Sequence, residues 1–446
     1  MTRVILMIAS SLLLNTASCG RTSLASDQDA YSVNGAGGSP NSTVSEGTTS
    51  GGGAAHNTPT TSAGGALQTG GTTSGGSGGS VRSTQAPTNP ARFISTGMAH
   101  ACAVLSDGSI ACWGMNDRGQ LGNGTATDRN TPTKVLDLSG AKTVAAAFDH
   151  TCATMSDGKV NCWGSNSQGQ LGDGSSIDTL SPITVPGLAR AFGIDVGGWP
   201  GHSCASTLDG TVYCWGDSFS DPNDVNNAMG ASPKLISGLT QSNVAAVSLG
   251  GEHSCALLAS GAVYCWGANY YGQLGNGSTS TDSVPTPIGS DDVAIAIAAG
   301  GNTTCAIFTT SGVQCWGSNS DGQLGNYELT SSGVIASTTP VHVNGLTSAL
   351  DIAVGSAHAC ALINGGTVQC WGRNSAGELG DGTTISRNQP VTVTGISNAM
   401  SVATGGHFTC AIVGAGYVSC WGSNLLGQLG NGTNVDSLVP MTVAGF

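Results

Sequence analysis

Charged residues are scarce in this sequence, and positive charge is the scarcest. Asp, Glu, Lys and Arg make up 9% of the 446 residues, and 13 basic residues stand against 26 acidic ones, a formal net charge of −13. The basic residues form no cluster, whereas a nucleic-acid backbone needs concentrated positive charge. The composition therefore argues against a nucleic-acid partner. With 70 glycines, it also favours tight turns over amphipathic helices.

The first residues of the chain have the composition of an export signal. Residues 4–14 form an apolar run that is too short to cross a bilayer as a helix. Residues 17–19 resemble the end of a bacterial lipoprotein signal, in which Cys19 is lipidated. Thr16 departs from the usual leucine, so an ordinary cleaved signal peptide stays open. We expect residues 1–19 to be a signal peptide and the protein to be a lipoprotein of the outer membrane or cell surface, or otherwise secreted.

Residues 20–90 differ in composition from the rest of the chain. They are rich in Gly, Ser and Thr and contain almost no aromatic residues. Such a segment cannot bury enough apolar surface to offset the entropy of ordering. We therefore predict a disordered tether between the signal and a globular domain over residues 91–446.

The predicted domain consists of seven copies of one unit of about 50 residues. In each unit two cysteines lie ten residues apart and a Trp-Gly pair follows directly. Six of the seven units then contain Gly-Gln/Glu-Leu-Gly, as at residues 119–122, and the third unit lacks it. The cysteine pairs are Cys102 and Cys112, Cys152 and Cys162, Cys204 and Cys214, Cys255 and Cys265, Cys305 and Cys315, Cys360 and Cys370, and Cys410 and Cys420.

Short runs within each unit alternate with a period of two residues, which indicates strands. Four strands per unit and seven units predict an all-β fold, a seven-bladed β-propeller of four-stranded blades. The sequence leaves open how the ring closes. The strand at residues 440–443 either completes the last blade or pairs with the stretch around Phe93.

The turn inside the cysteine pair predicts a cross-strand disulfide. A three-residue turn at residues 106–108 places Leu105 opposite Ser109, and therefore Cys102 opposite Cys112. Directly opposed residues of an antiparallel pair are close enough to bridge. We predict one disulfide in each blade, an arrangement that suits an exported protein. Fourteen of the 15 cysteines then pair, and the odd one is Cys19.

Two metal sites are alternatives to this interpretation. Histidines two residues before the first cysteine give a His-x-Cys pattern that zinc favours. Thr303 and Phe408 replace the histidine in two units while the cysteines persist, so we expect the histidines to be structural. Oxygen-rich residues 217–232 contain ligand types for calcium, but we expect a solvated loop there. We predict no metal and no cofactor. The histidines concerned are His100, His150, His202, His253 and His358.

The repeated core of residues 99–124 resembles the regulator of chromosome condensation repeat, whose units have a Trp-Gly-x-Asn-x-x-Gly-Gln-Leu-Gly pattern. The resemblance extends over about residues 93–446 and implies a seven-bladed propeller. It also implies guanine-nucleotide exchange on a small GTPase as an alternative function. The predicted export, the acidic balance and the disulfides argue against that function, and propellers carry many activities.

Irregular loops are the candidate binding surface. Because antiparallel strands alternate in direction, the loops after the first and third strands of every blade emerge on one face. Trp199, Tyr270, Tyr271 and Tyr327 lie in these loops, and exposed aromatic residues are typical anchors. The alternative is that these side chains pack against their own loops. No catalytic set stands out from the repeat, so we predict a non-catalytic, monomeric module that binds an unknown protein or a glycan. An enzyme with a site on this face or in the central channel is the alternative.

Overall fold

The computed structural model describes residues 87–445, apart from residues 199–200, 218–229, 240–242, 328–335 and 347. The predictions for the signal peptide, for Cys19, for the tether up to residue 86 and for Trp199 lie outside these residues. Within the described ranges, no helix has the length and apolar character needed to cross a membrane.

The predicted all-β propeller is confirmed. Twenty-eight strands form seven antiparallel sheets of four strands, and each sheet contains four consecutive strands. We number the sheets as blades 1 to 7 in chain order.

The strand bounds follow the repeat. Blade 1 comprises β1 (Ala91–Thr96), β2 (His100–Leu105), β3 (Ile110–Gly114) and β4 (Arg129–Lys134). Blade 2 comprises β5 (Ala141–Ala146), β6 (His150–Met155), β7 (Val160–Gly164) and β8 (Thr179–Thr184). Blade 3 comprises β9 (Ala191–Gly197), β10 (His202–Thr207), β11 (Val212–Gly216) and β12 (Gly230–Leu235). Blade 4 comprises β13 (Val244–Leu249), β14 (His253–Leu258), β15 (Val263–Gly267) and β16 (Asp282–Pro287).

The remaining blades have the same plan. Blade 5 comprises β17 (Ala294–Gly300), β18 (Thr303–Phe308), β19 (Gly312–Ser318) and β20 (Ala336–His342). Blade 6 comprises β21 (Ala349–Val354), β22 (His358–Ile363), β23 (Thr367–Gly372) and β24 (Arg387–Thr392). Blade 7 comprises β25 (Ala399–Thr404), β26 (Phe408–Val413), β27 (Tyr417–Gly422) and β28 (Ser437–Thr442).

The ring closes without exchange of a strand between blades. The first strands of neighbouring blades contact one another around the axis, and β25 contacts β1 in the same way. The strand β28, which contains residues 440–442, pairs with β27 and completes blade 7. Blade 7 then meets blade 1 through the bond from the Trp113 indole to the Gln428 carbonyl, a contact that five other pairs of blades also make.

The cysteine register is the one predicted from the turn. Cys102 lies opposite Cys112 on β2 and β3, and the Leu105 N–H donates to the Ser109 carbonyl across the turn. Gly108 has a φ of 78°, a conformation that glycine adopts without strain. All seven pairs lie at disulfide-bonding distance, with Cα–Cα separations of 4.0 to 4.1 Å, and all are buried. Each bond joins two neighbouring strands of a single blade.

A buried tryptophan joins each blade to the preceding one. The Trp163 indole N–H on β7 donates to the Gln120 carbonyl of blade 1 at 2.9 Å. Gln120 belongs to the Gly-Gln-Leu-Gly sequence, and a Cβ on the glycine that ends it, Gly122, would lie 2.7 Å from that indole nitrogen. The glycine therefore allows the indole to pack on the backbone. The same bond recurs at Trp113, Trp215, Trp316, Trp371 and Trp421.

The boundary between blades 3 and 4 is the exception. Blade 3 lacks the Gly-Gln-Leu-Gly sequence, and the fully buried indole N–H of Trp266 in blade 4 has no hydrogen-bond partner in the described part of the chain. Residues 218–229, which follow Trp215-Gly216 in place of that sequence, lie outside the described ranges. Among the described residues, Trp266 therefore contributes apolar burial without the carbonyl contact that the other six tryptophans make.

We predict that Trp163→Phe destabilises the protein by about 1 kcal/mol more than Trp266→Phe does, since within the described ranges only the Trp163 indole donates a hydrogen bond. Both substitutions remove the same volume from a fully buried position, so the cavity contribution cancels in the comparison. Urea unfolding monitored by circular dichroism measures both losses. Equal losses would contradict the role assigned to the bond.

Candidate functional site

The two faces of the propeller differ in the length of their connections. On one face, here called the loop face, lie the short turns after each first strand and the long loops after each third strand, such as residues 115–128. On the opposite face, here called the turn face, lie the tight turns after each second strand and the connections between blades. The loop face therefore has more irregular backbone, the usual carrier of binding residues.

A buried asparagine shapes the long loop in six of the seven blades. In blade 1 the Asn116 side chain accepts a hydrogen bond from the Leu121 N–H and donates to the carbonyls of Thr125 and Thr127. Its counterparts Asn166, Asn269, Asn319, Asn374 and Asn424 accept the same leucine N–H. We did not assign this role from the sequence, although the Trp-Gly-x-Asn spacing contains the signal.

Tyr270 and Tyr271 are displayed on the loop of blade 4. They follow Asn269 directly, and their side chains are 65% and 40% exposed. The Tyr271 N–H donates to the Gln273 side chain, so the backbone under the pair is fixed. Blade 1 has Asp117 and Arg118 at these two positions. The expectation that these tyrosines lie exposed on the loop face agrees with their placement, and local packing does not bury them.

Tyr327 occupies a position that other blades give to glycine. Its φ is 65°, in the left-handed region, where Gly277 of blade 4 has a φ of 84°. The Tyr327 N–H donates to the Asn388 carbonyl of blade 6, as the Gly277 N–H donates to Thr338 of blade 5. A bulky residue in this conformation is strained. The ring remains 53% exposed, so the strain is not offset by deep burial of the side chain.

Further apolar residues extend this surface beyond the predicted aromatic ones. Ile385 in blade 6 and both Leu425 and Val435 in blade 7 are 59%, 72% and 70% exposed on the same loops. Leu425 occupies the position of Tyr270, one residue after the loop asparagine. The sequence pattern, in which only aromatic residues stand out as anchors, does not reveal these aliphatic residues. Exposed apolar side chains therefore lie on the loops of blades 4 to 7, and Ile177 of blade 2 is 72% exposed at the position equivalent to Ile385.

Acidic charge is concentrated on the loop face. Among the described residues this face holds twelve carboxylates and four arginines, whereas the turn face holds six carboxylates and six basic residues, including every lysine of the chain. The loop-face carboxylates are Asp117, Asp128, Asp149, Asp173, Asp178, Asp217, Glu252, Asp282, Asp321, Glu378, Asp381 and Asp436, and the arginines are Arg118, Arg129, Arg373 and Arg387. The negative net charge of the domain therefore belongs to one face.

The repeated histidines connect neighbouring blades by hydrogen bonds. Nε2 of His100 lies 2.9 Å from Oγ1 of Thr151 in blade 2, and that hydroxyl donates to the Gln120 carbonyl. Because the single hydroxyl hydrogen goes to the carbonyl, the threonine oxygen accepts a hydrogen bond from the Nε2–H of the histidine. The same pairing joins His150 to Ser203, His202 to Ser254, His253 to Thr304 and His358 to Thr409.

The two blades without this histidine also lack its partner. Thr303 in blade 5 precedes Ala359 in blade 6, and Phe408 in blade 7 precedes Ala101 in blade 1. Loss of the donor and loss of the hydroxyl therefore occur together. No group of three or more His, Cys, Asp or Glu is placed to hold a metal ion within the described ranges. Most of the 217–232 segment considered for calcium lies outside them.

Burial sets the ionisation of these histidines. Removal from water lowers the pKa of His100, His202 and His253 to about 3 and that of His358 to about 4. All four are therefore neutral near pH 7, with the ring proton on Nε2 where it donates to the hydroxyl.

Glu378 replaces the repeated glutamine in blade 6. Burial opposes its ionisation, but hydrogen bonding to His407 of blade 7 and to backbone N–H groups holds the pKa of the carboxyl below its ordinary value. The Arg373 side chain approaches the same carboxylate to 4.0 Å. The buried carboxylate of Glu378 thus has hydrogen-bond and charge partners at the boundary between blades 6 and 7.

These features define a class of protein, a seven-bladed propeller of Trp-Gly repeats in which every blade also contains a buried cysteine pair. The RCC1-like domain matches residues 200–446, and the regulator of chromosome condensation (RCC1) repeat matches residues 107–154 and 157–205. The chain belongs to the RCC1-like family.

This chain matches curated relatives over only part of its own length and part of theirs. The chain is 29% identical to the ultraviolet-B receptor UVR8 of Arabidopsis thaliana, over 46% of this chain and 48% of that protein. It is 41% identical to the probable E3 ubiquitin-protein ligase HERC4 of Mus musculus, over 44% of this chain and 19% of that protein. The chain thus spans about half or less of the length of these relatives.

Solved structures share the fold. Prp20p from Saccharomyces cerevisiae superposes with a TM-score of 0.66 at 22% identity, covering 75% of this chain and 85% of that one. Human WBSCR16 superposes with a TM-score of 0.67 at 22% identity, covering 75% of this chain and 94% of that one.

We predict that acid destabilises the protein through its buried histidines. A folded-state pKa near 3, below the ordinary value of about 6.5, means that the unfolded chain binds the proton first, so stability is lost as pH falls from about 6.5 towards 3. His253→Gln keeps an N–H donor and removes the titration. We expect this variant to lower the dependence of the unfolding free energy on pH by up to about 1.4 kcal/mol per unit between pH 4 and 6.

Urea unfolding at pH 6.5, 5 and 4 measures the effect. His342→Gln is the matched control, because His342 is exposed on β20. An unchanged pH dependence in His253→Gln would contradict the assignment.

Proposed function

We propose that the protein is an exported, non-catalytic binding module that uses its loop face to bind another protein. The observation that carries the proposal is the display of Tyr270, Tyr271 and Tyr327 on one face, with Tyr327 held in a strained conformation. Strain that brings little burial is typical of residues selected for a contact outside the chain. Tyrosine supplies a large contact area at low entropic cost, and such residues dominate binding energy in many interfaces.

Charge on the loop face narrows the chemistry of the partner. Twelve carboxylates against four arginines attract a partner surface with an excess of Lys and Arg and repel acidic ones. The exposed apolar side chains of blades 4 to 7 would then supply the desolvated contacts. Together these features favour a basic protein over a neutral glycan.

The family supports a protein partner in general terms. Prp20p is described with binding properties to Gsp1p and histones, and yeast RCC1 (Prp20) has been crystallised bound to Kap60. At 22% identity these proteins share the fold alone with this chain, so their partners are not transferred to it. They support the use of such a propeller as a surface for protein recognition.

The anchoring is part of the same proposal. Residues 1–19 and Cys19 would place the module at the outer membrane or cell surface, and residues 20–90 would act as its tether. The oxidising conditions outside the cytoplasm would allow the seven cysteine pairs to form disulfides.

We predict that the Tyr270→Ala, Tyr271→Ala and Tyr327→Gly variant loses the captured partner. Mass spectrometry of proteins recovered from the native cell surface by immobilised protein would identify a species retained by wild type and depleted at least tenfold by the variant. Leu208→Ala is the control, because Leu208 is 62% exposed on the turn face. A species captured equally by all three proteins would contradict the proposal.

Tyr327→Gly alone should raise the unfolding free energy by about 1 kcal/mol, since it relieves a left-handed conformation.

We predict that Cys19→Ala abolishes membrane anchoring. Without the thiol no lipid can be attached, and one apolar signal region alone does not hold the mature protein in a membrane. Metabolic labelling with a radioactive fatty acid, followed by fractionation, measures lipidation and location together. Cys102→Ala combined with Cys112→Ala is the control that keeps the label. A labelled Cys19→Ala protein would contradict the assignment.

A further inference from the structure

Each first strand of the propeller contains a β-bulge at its second residue. In blade 1, Ala91 lies opposite Leu105 and Phe93 opposite Val104, so Arg92 is the extra residue. The same register shift occurs in all seven blades. Bulges turn a side chain away from the regular pleat and are frequent beside binding sites. The bulged residues are Arg92, Lys142, Phe192, Ala245, Ile295, Leu350 and Met400.

These seven residues surround the axis at the turn face. The first strands contact one another around the ring, and the bulge lies at the end of each strand that starts on the turn face. The ring of bulged residues is uneven in its chemistry. Blades 1 and 2 contribute the two basic side chains, Arg92 and Lys142, and the other five blades contribute apolar ones.

Both basic residues line one groove between blades 1 and 2. The groove has a volume of about 450 Å³, and its walls include Phe93 and Val104 together with Phe192 of blade 3. Arg92 and Lys142 are exposed, and neither forms an ion pair in the described part of the chain. Volume, apolar walls and a few convergent polar groups are the features of a small-molecule site.

One acidic residue, Asp107, also lines this groove. Its carboxylate accepts hydrogen bonds from the N–H and hydroxyl groups of Ser109 at 2.8 and 2.6 Å, which hold it in the turn after β2. Two cations against this one carboxylate leave the groove with a positive balance. In a domain whose charge is otherwise negative, that balance marks the groove as a place for an anion.

The equivalent groove between blades 5 and 6 has different chemistry. It has a volume of about 410 Å³ and is lined by Ile295, Phe308 and Leu346 with no charged residue. The groove itself therefore results from the repeated fold, whereas the pair of basic side chains is found only in the groove between blades 1 and 2 when these two grooves are compared. This uncharged groove is an internal control for the charged one.

We propose that the groove between blades 1 and 2 binds an amphiphilic anion, a small molecule with a carboxylate or phosphate head and an apolar body. The guanidinium of Arg92 and the ammonium of Lys142 would bind the head group through charge-assisted hydrogen bonds. The partly exposed ring of Phe192 would cover the apolar body. This site lies on the turn face and is independent of the protein-binding surface on the loop face.

Isothermal titration calorimetry of the full chain with four probes tests the proposal. Each probe is kept below its critical micelle concentration. Octanoate and octyl phosphate carry the two head groups, octyltrimethylammonium reverses the charge, and inorganic phosphate lacks the apolar body. We expect at least one of the octyl anions to bind at least tenfold more tightly than both octyltrimethylammonium and inorganic phosphate. The tighter of the two octyl anions identifies the head group.

Variants locate the binding site. Arg92→Gln combined with Lys142→Gln should weaken binding of the octyl anions at least tenfold. Arg190→Gln, at an exposed position of the turn face, and Ile295→Gln, in the uncharged groove, should leave it unchanged. Equal binding of the cationic probe, or undiminished anion binding by the double variant, would overturn the proposal. All substituted side chains are exposed, and unchanged urea midpoints would show that the variants remain folded.

Discussion

The hydrogen bond from a buried tryptophan to the backbone of the preceding blade is the contact on which the ring depends. Its carbonyl acceptor belongs to the Gly-Gln-Leu-Gly segment, so one contact fixes both the packing of two blades and the base of the long loop. In four blade boundaries the same carbonyl also accepts a hydroxyl from the next blade. At these four boundaries the buried carbonyl thus accepts two donors, one from the indole and one from the hydroxyl of the next blade. The ring closes at blades 7 and 1 because this contact is repeated there.

Much of the fold follows from local rules that can be applied to the sequence. The Asp107-Gly108 turn sets the pairing of Cys102 with Cys112, and the period of about 50 residues sets the number of blades. The mode of closure does not follow from local rules, because it depends on which distant residues meet. The histidine contacts are a similar case. The sequence indicates that His100 is structural, but its partner Thr151 lies in the next unit and is revealed only when the blades are assembled.

The candidate sites were predictable only in part. The tyrosines of blades 4 and 5 differ visibly from the residues at the same repeat positions, and that difference is a signal in the sequence. Ile385 and Leu425 belong to the same surface but have no such signal, since an isolated aliphatic residue in a repeat is more often buried. The groove at the turn face depends on a backbone irregularity. The two-residue alternation of a strand does not predict that Arg92 leaves the pleat. The position of Arg92 beside Lys142 therefore follows from the bulge in the structure and not from the sequence.

Closure by contacts between blades, without an exchanged strand, has a mechanical consequence. A pull applied through the chain that precedes β1 loads the boundary between blades 7 and 1 first. That boundary has Phe408 and Ala101 in place of the histidine and its hydroxyl, so it resists shear with one polar contact fewer than most others. If the boundary yields, the sulfur bridge between β2 and β3 lies within a single hairpin and keeps that hairpin paired. Under tension the ring would thus open at a defined place while the cross-linked strands of each blade stayed together.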